Sequence, residues 1–297
     1  MLARQRAQHH GGNMSVPIQN RAAGLGTVEE PTQTAGIGDG EEIESALDVG
    51  KAVRYSVANL GASVVYGMFN TAMPLYLATY KIPEWLIGLL ANERSFVGAF
   101  VQPVVGRMSD RTRTALGRRR PFFLVGVPLM AASIMLLATY PDFWVMLGLM
   151  TVGSFFLAVA MDPYLTLLSD LFTPSQRGRV GGLLGLTTAL GIIIFSLMAV
   201  FFWESNPTLV FAMTVGILAL TFAFTFFTVK EPALPKHVEP REKVQLAAYF
   251  RELRTHKEAS KYVGALALYW IGAGGATPFV TLFGKNALGA SDGEVFL

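Results

Sequence analysis

"GRMSDRTRTALGRRRPFF", residues 106–123, sets six arginines (Arg107, Arg111, Arg113, Arg118, Arg119 and Arg120) around a single acid, Asp110. Long apolar runs flank it on both sides. The chain has 297 residues, 52% of them hydrophobic and 15% charged, whereas soluble domains carry about 25% charge. Its mean hydropathy is +0.43. A bilayer core about 30 Å thick takes about 20 apolar residues per helix, and the apolar residues fall in runs of that length. The fold class is therefore all-α, a polytopic transmembrane helical bundle, with the arginine stretch as a loop between two spans.

Seven spans can be drawn, at about 53–79, 86–106, 121–140, 143–169, 179–203, 207–229 and 261–283. The links "YKIPEW", "YPDFW" and "WESNP" are tight and nearly free of Lys and Arg, while those at 107–120, 170–179 and 230–260 are basic or long. Juxtamembrane Lys and Arg stay in the cytoplasm. Lys51 and Arg54 precede the first span, so the N-terminus, the arginine loop, Arg177, Arg179 and the segment 230–260 are all expected inside; only Lys81 and Lys285 fall outside.

Residues 1–49, rich in Gly, Pro, Thr, Gln and Glu, have too little apolar surface to offset ordering and read as a disordered cytoplasmic tail. Residues 50–229 form a six-span unit, 230–260 a charged cytoplasmic linker, and 261–297 a seventh span with the start of a truncated C-terminal half. The absence of cysteine excludes disulfides and thiolate chemistry. Two histidines (His9, His10) lie in the tail and two (His237, His256) in the linker, so they make no ligand cluster. No nucleotide-binding loop or nucleophile–base constellation is present. Neither catalysis, a cofactor, a metal nor a nucleic-acid partner is expected.

The spans differ in polarity. The third and sixth carry only Ser and Thr inside, and a hydroxyl can bond back to its own helix, so both can face lipid. The first carries Asn59, Tyr66, Asn70 and Tyr76; the second Asn92, Glu93, Arg94 and Gln102; the fourth Asp162 and Tyr164 beside Pro163; the seventh Tyr269, Trp270 and Thr277. Ionisable groups at membrane depth are costly and face a bundle interior or a wet cavity. Glu93 lies about 10 Å and Asp162 about 12 Å from the span ends, at 1.5 Å per residue. A buried Arg94–Asp162 or Arg94–Glu93 pair that only fixes packing is the plain alternative to a substrate or proton site. Gly181, Gly182 and Gly185 read as close helix contact.

A topology anchor requires neither an Asp four residues after Gly106 nor a Gly-Arg-Arg-Arg-Pro ending. Those features resemble the loop between the second and third spans of the major facilitator superfamily, through Gly106, Asp110, Arg111, Gly117, Arg118 and Arg119. The spacer before "GRRRPF" is similar to the glycoside–pentoside–hexuronide and sucrose–proton symporters. "MDPYLTLLSDLFTPSQRGRVGG" resembles their fourth-to-fifth span junction, with Asp170, Pro174, Arg177 and Gly178 in register.

The resemblance implies twelve spans in two halves with alternating access to a central site, so the chain is expected to be a piece lacking most of the second half. It implies a small-molecule solute, a sugar or glycoside, as partner alongside the bilayer of the cell membrane. It makes Asp110, Arg111, Arg118 and Arg119 a latch at the cytoplasmic face, with Asp170 and Arg177 either joining it or only ordering their own loop. Glu93, Arg94, Asp162, Asn59, Tyr66, Asn70, Tyr164, Tyr269 and Trp270 become the candidates for solute binding or proton coupling, although the aromatics are also ordinary packing or interface residues. Melibiose-type members carry paired acids in the second span; here Glu93 adjoins Arg94, which favours a proton over sodium as coupling ion. The rival reading is a non-transporting membrane protein on the same scaffold: a pigment- or lipid-delivery factor, an assembly factor, or a half that binds a partner.

The charge asymmetry generates one test. In this cysteine-free chain, single cysteines at Thr114 and Ser205 should react with an impermeant thiol reagent from opposite sides of the membrane. Reaction of both from the outside would refute the layout.

Overall fold

A computed structural model describes residues 47–139, 141–231, 255–291 and 293–296. The tail expected to be disordered (1–46) and most of the linker (232–254) lie outside the described residues, so neither expectation is met or refused. The described residues are helical, without strands.

The first span begins where Asp48 caps α1 (Val49–Gly67), its Oδ1 accepting from the Lys51 amide at 2.9 Å. It runs on through a π-helical segment (Met68–Ala72) into α2 (Met73–Ala78). Pro74 explains the widening. It has no N–H to give the carbonyl of residue 70, and its ring crowds that carbonyl. The second span is also in pieces: α3 (Glu84–Ala91) and α4 (Glu93–Arg111) meet at Asn92, whose φ of −98° and ψ of 5° leave the helix.

The remaining spans are longer and more apolar. They are α5 (Arg120–Leu137), α6 (Phe143–Leu171), α7 (Pro174–Phe202), α8 (Pro207–Thr228) and α9 (Lys257–Asn286). Among the described residues these five helices are long and apolar enough to cross a membrane. Prolines open α7 and α8, and Pro121 stands in the first turn of α5, positions where a missing N–H costs nothing. Asp142 caps α6, Asn206 caps α8, and Thr173 with Gln176 forms a capping box on α7.

α1 packs between α7 and α8, α5 lies against α6 and α8, and α6 covers α4. Near the arginine loop, Tyr55 of α1 stacks on Tyr164 of α6 with ring centroids 4.7 Å apart. Each hydroxyl donates to the other residue's backbone carbonyl, at 2.9 and 2.8 Å. At the opposite end Tyr76 and Tyr80 donate to the carbonyls of Leu137 and Pro141. Thr225 joins α8 to α1, accepting from the Ala58 amide at 3.1 Å and donating to Arg54 O at 2.9 Å.

Among the described residues no helix makes the close contact expected at Gly181, Gly182 and Gly185. A Cβ at any of the three would meet no atom within 4 Å. The contact falls further along α7, at Gly191, where a Cβ would come 2.6 Å from Leu60 O and from Ser63 Cβ. Spacing alone marks a glycine-lined face, whereas the crossing point of α1 and α7 selects the glycine that matters. Gly191→Leu should therefore lower the thermal unfolding midpoint in detergent, since overpacking costs about 1–3 kcal/mol. Gly185→Ala should not lower it.

Candidate functional site

Two charged clusters stand out. The first lies in the span interior, where the irregular parts of the first two spans meet. Arg94, in the first turn of α4, donates through Nη2 to Asn70 Oδ1 at 3.2 Å. Asn70 sits in the π-helical segment, so the widened turn supplies the acceptor. The guanidinium carbon lies 4.8 Å from the Tyr66 ring centre and 5.8 Å from that of Phe69, within cation–π range.

Glu93, one residue earlier, turns the other way and accepts a hydrogen bond from Ser154 on α6. Successive helical residues point about 100° apart, so the two charges go to different helices. Among the described residues neither Glu93 nor Asp162 forms an ion pair with Arg94. The packing pair that the sequence left open is therefore not formed. Glu93 Oε2, Arg94 Nη1 and Asp162 Oδ2 are all buried without a protein hydrogen-bond partner. Tyr66 lies within electrostatic reach of both Arg94 and Asp162.

A cavity of about 580 Å³ opens beside Arg94, lined by Asn70, Asn92, Ser95 and Phe96 on one side and by Ile271, Gly274 and Thr277 of α9 on the other. Arg94 is the charged residue in that lining.

Other candidates sit elsewhere. Asn59 spends its amide on α7, donating to Leu184 O, Thr187 Oγ1 and Thr188 Oγ1 at 2.8–3.0 Å. Tyr164 is held in the stack with Tyr55. Both are thus tied to helix packing, away from Arg94, because the face a helix residue takes depends on its neighbours. Tyr269 is exposed on α9, and the Trp270 side chain lies outside the described residues. Ser154 carries no distinguishing signal in the sequence, because α6 also bears hydroxyls at Thr151, Thr166 and Ser169. Asn92 reads in the sequence only as a polar residue, since the helix break there has no marker such as Gly or Pro.

The second cluster is the arginine loop. Arg118 and Arg119 meet Asp170 at the end of α6, at 2.8 and 2.6 Å, the latter an ion contact from Nε that is off hydrogen-bond alignment. Asp110 stands further off, at 3.7 and 3.6 Å, and is half exposed. Burial pulls the Arg119 guanidinium below its ordinary pKa, and the negative charges of Asp170 and Asp110 oppose that pull. Asp170 thus joins Asp110 around the arginine pair.

Arg177 does not join them; it donates to the carbonyls of Phe172 and Ser169, both at 3.2 Å, and orders the junction of α6 and α7. Arg111 is exposed at the end of α4, and open space surrounds Gly106. Arg120 donates to Phe226 O and lies 4.3 Å over the Phe226 ring.

A third carboxylate, read in the sequence only as part of the linker, completes the cluster. Glu231 Oε2 accepts from the backbone amides of Arg118 at 2.9 Å and Arg119 at 3.0 Å, where α5 begins. Free amides at a helix start favour an anion. Gly117 makes the seat: its φ is +109°, and a Cβ there would collide with Glu231 Oε2.

The geometry ranks the three acids. Asp170→Ala, which strips the near partner from buried Arg119, should cost about 3–5 kcal/mol. Asp110→Ala, an exposed partner at longer range, should cost about 0–1 kcal/mol. Gly117→Ala and Glu231→Ala should each destabilise, and together by less than their sum. Thermal unfolding of purified variants checks the order.

The sequence profile of the Major Facilitator Superfamily matches residues 55–297. Lactose permease of Lactobacillus helveticus is 25% identical over 192 residues, 58% of this chain and 28% of the permease. A sucrose transport protein of Arabidopsis thaliana is 33% identical over 105 residues, 32% of this chain and 19% of that protein. The chain thus spans less than a third of the length of these curated relatives. The crystal structure of a bacterial homologue of the human lysosomal transporter Spinster, inward-facing and unoccupied, superposes with a TM-score of 0.60 at 17% identity, over 84% of this chain and 57% of that one. That likeness is one of fold. With the profile covering the described spans from Tyr55 onward, the chain belongs to the major facilitator superfamily of membrane transporters.

Proposed function

We propose that the chain is part of a proton-coupled symporter for a sugar or glycoside, working by alternating access with the arginine end in the cytoplasm. The similarity to a lactose permease and to sucrose transport proteins supports the solute class. The observation that carries the coupling is the divergence of Glu93 and Arg94. Each keeps one buried polar atom unmatched by protein: Oε2 of the acid and Nη1 of the guanidinium.

A buried donor without a partner is costly, and solute hydroxyls offer Arg94 what the protein withholds. A carboxylate bonded to one serine hydroxyl suits a proton better than a sodium ion, which takes several oxygens. When solute oxygens take the guanidinium, its compensation of the nearby Glu93 charge weakens, and the acid takes up a proton. Solute and proton then bind cooperatively, and by linkage each raises the other's affinity by the same factor. Asp162, also carrying a buried free oxygen, is the second acid in the path.

The test uses the full-length transporter in proteoliposomes with a panel of labelled glycosides. Glu93→Gln, fixed in the neutral form, should keep binding and exchange but lose accumulation driven by a pH gradient. Arg94→Ala should weaken binding itself. Accumulation by Glu93→Gln at the wild-type level would make Glu93 a structural group.

A further inference from the structure

α9 touches the rest of the bundle along one half of its length. From Lys261 to Tyr269 its described side chains are exposed, whereas beyond Gly272 it packs on the π-helical segment, α2 and α3. The contact therefore lies toward the end away from the arginine loop. Asn92 is its polar centre. At the break between α3 and α4 its backbone N–H turns to Leu89 O, and its side-chain amide reaches two carbonyls instead. Nδ2 donates to Gly88 O at 2.9 Å and, across the gap, to Gly274 O at 3.0 Å.

Glycines on both sides permit this approach. A Cβ on Gly274 would come 3.2 Å from Asn92 Oδ1, and one on Gly88 would press into the Phe279 ring at 2.5 Å. Beyond them, Asn286 Nδ2 approaches Glu84 Oε1 at 3.4 Å. The cavity holding Arg94 and Ser95 adjoins this seam.

We propose that Asn92 is a positioning residue that latches the second span to the seventh, sealing the Arg94 cavity on the side away from the arginine loop. The proposal rests on the alternating-access reading, since a seal matters only where access alternates. Asn92 suits the role on three counts: it tolerates a broken helix, it satisfies a carbonyl of its own span, and it spends its second donor on the partner. One hydrogen bond between two rigid pieces is also weak enough to be remade in every cycle. In this proposal the break gives the short α3 freedom to tilt with α9 while α4 stays packed on α6.

These 297 residues carry no cysteine, so with any cysteine elsewhere in the transporter replaced the test is direct. Ser95→Cys, carried by the full chain in sided membrane vesicles, reports access to the cavity through its labelling rate with an impermeant maleimide. From the side away from the arginine loop, labelling should be slow in the parent and rise about fivefold with Asn92→Ala, the population change that one hydrogen bond of ordinary net strength carries. Asn92→Asp keeps the size and the tolerance of the break but lacks the NH₂ donor, and should give the same rise.

Labelling from the arginine side should not change. No rise in Asn92→Asp, or an equal rise from both sides, would overturn the latch. Because labelling needs no solute, the latch can fail while symport stands. Conversely, uptake can fail the Glu93→Gln test while the latch stands.

Discussion

Three carboxylates from three separate stretches of chain converge on two adjacent arginines, and the basic end of the bundle depends on that convergence. Asp110 comes from the end of α4, Asp170 from the end of α6 and Glu231 from just beyond α8, while Arg118 and Arg119 open α5. A bilayer restricts how helices can be joined, because loop polar groups must stay wet or be paired. The cluster meets that demand for several spans at once. It also sets a hierarchy. The side chains pair with Asp170, the backbone amides with Glu231, and Asp110 adds a longer, wetter contact that breaks with least loss.

The interior cluster obeys the same electrostatics with the opposite result. Around Arg118 and Arg119 carboxylates answer the charges; around Arg94 an amide oxygen and two aromatic faces do so only in part. A buried polar atom left without a partner is costly, and Arg94 Nη1 is one such atom. That division suits a transporter. On the proposed reading, one end holds its spans together while the middle offers its unmatched polar atoms to a solute.

The charged features were legible in the sequence because the membrane makes charge conspicuous. The arginine loop and the presence of Glu93, Arg94 and Asp162 within apolar runs need only hydropathy and counting, whereas Asp170 beside Arg118 and Arg119 is one of two readings that the resemblance leaves open. What stayed hidden depends on the facing of helices. Asn59 and Tyr164 are as polar as the cavity residues, but α7 and α1 claim them. Glu231 sits in "KEP", which reads as the start of a linker, and only the fold shows that it returns to the turn at Gly117. In the first span the π-helical segment also shifts the helical phase by about 100°. No single helical wheel therefore describes both Tyr66 and Tyr76.

The reciprocal bonds of Tyr55 and Tyr164 constrain mechanics as well as packing. Each ring hydroxyl holds the other residue's own carbonyl, so the pair closes a loop between α1 and α6. Sliding one helix past the other by a single residue would break both bonds and the stack together, since no neighbouring tyrosine stands ready to replace either. The first and fourth spans therefore behave as one girder at this level. Tilting is open to them as a unit, translation against each other is not, and the jointed second span is where the helices around them have play.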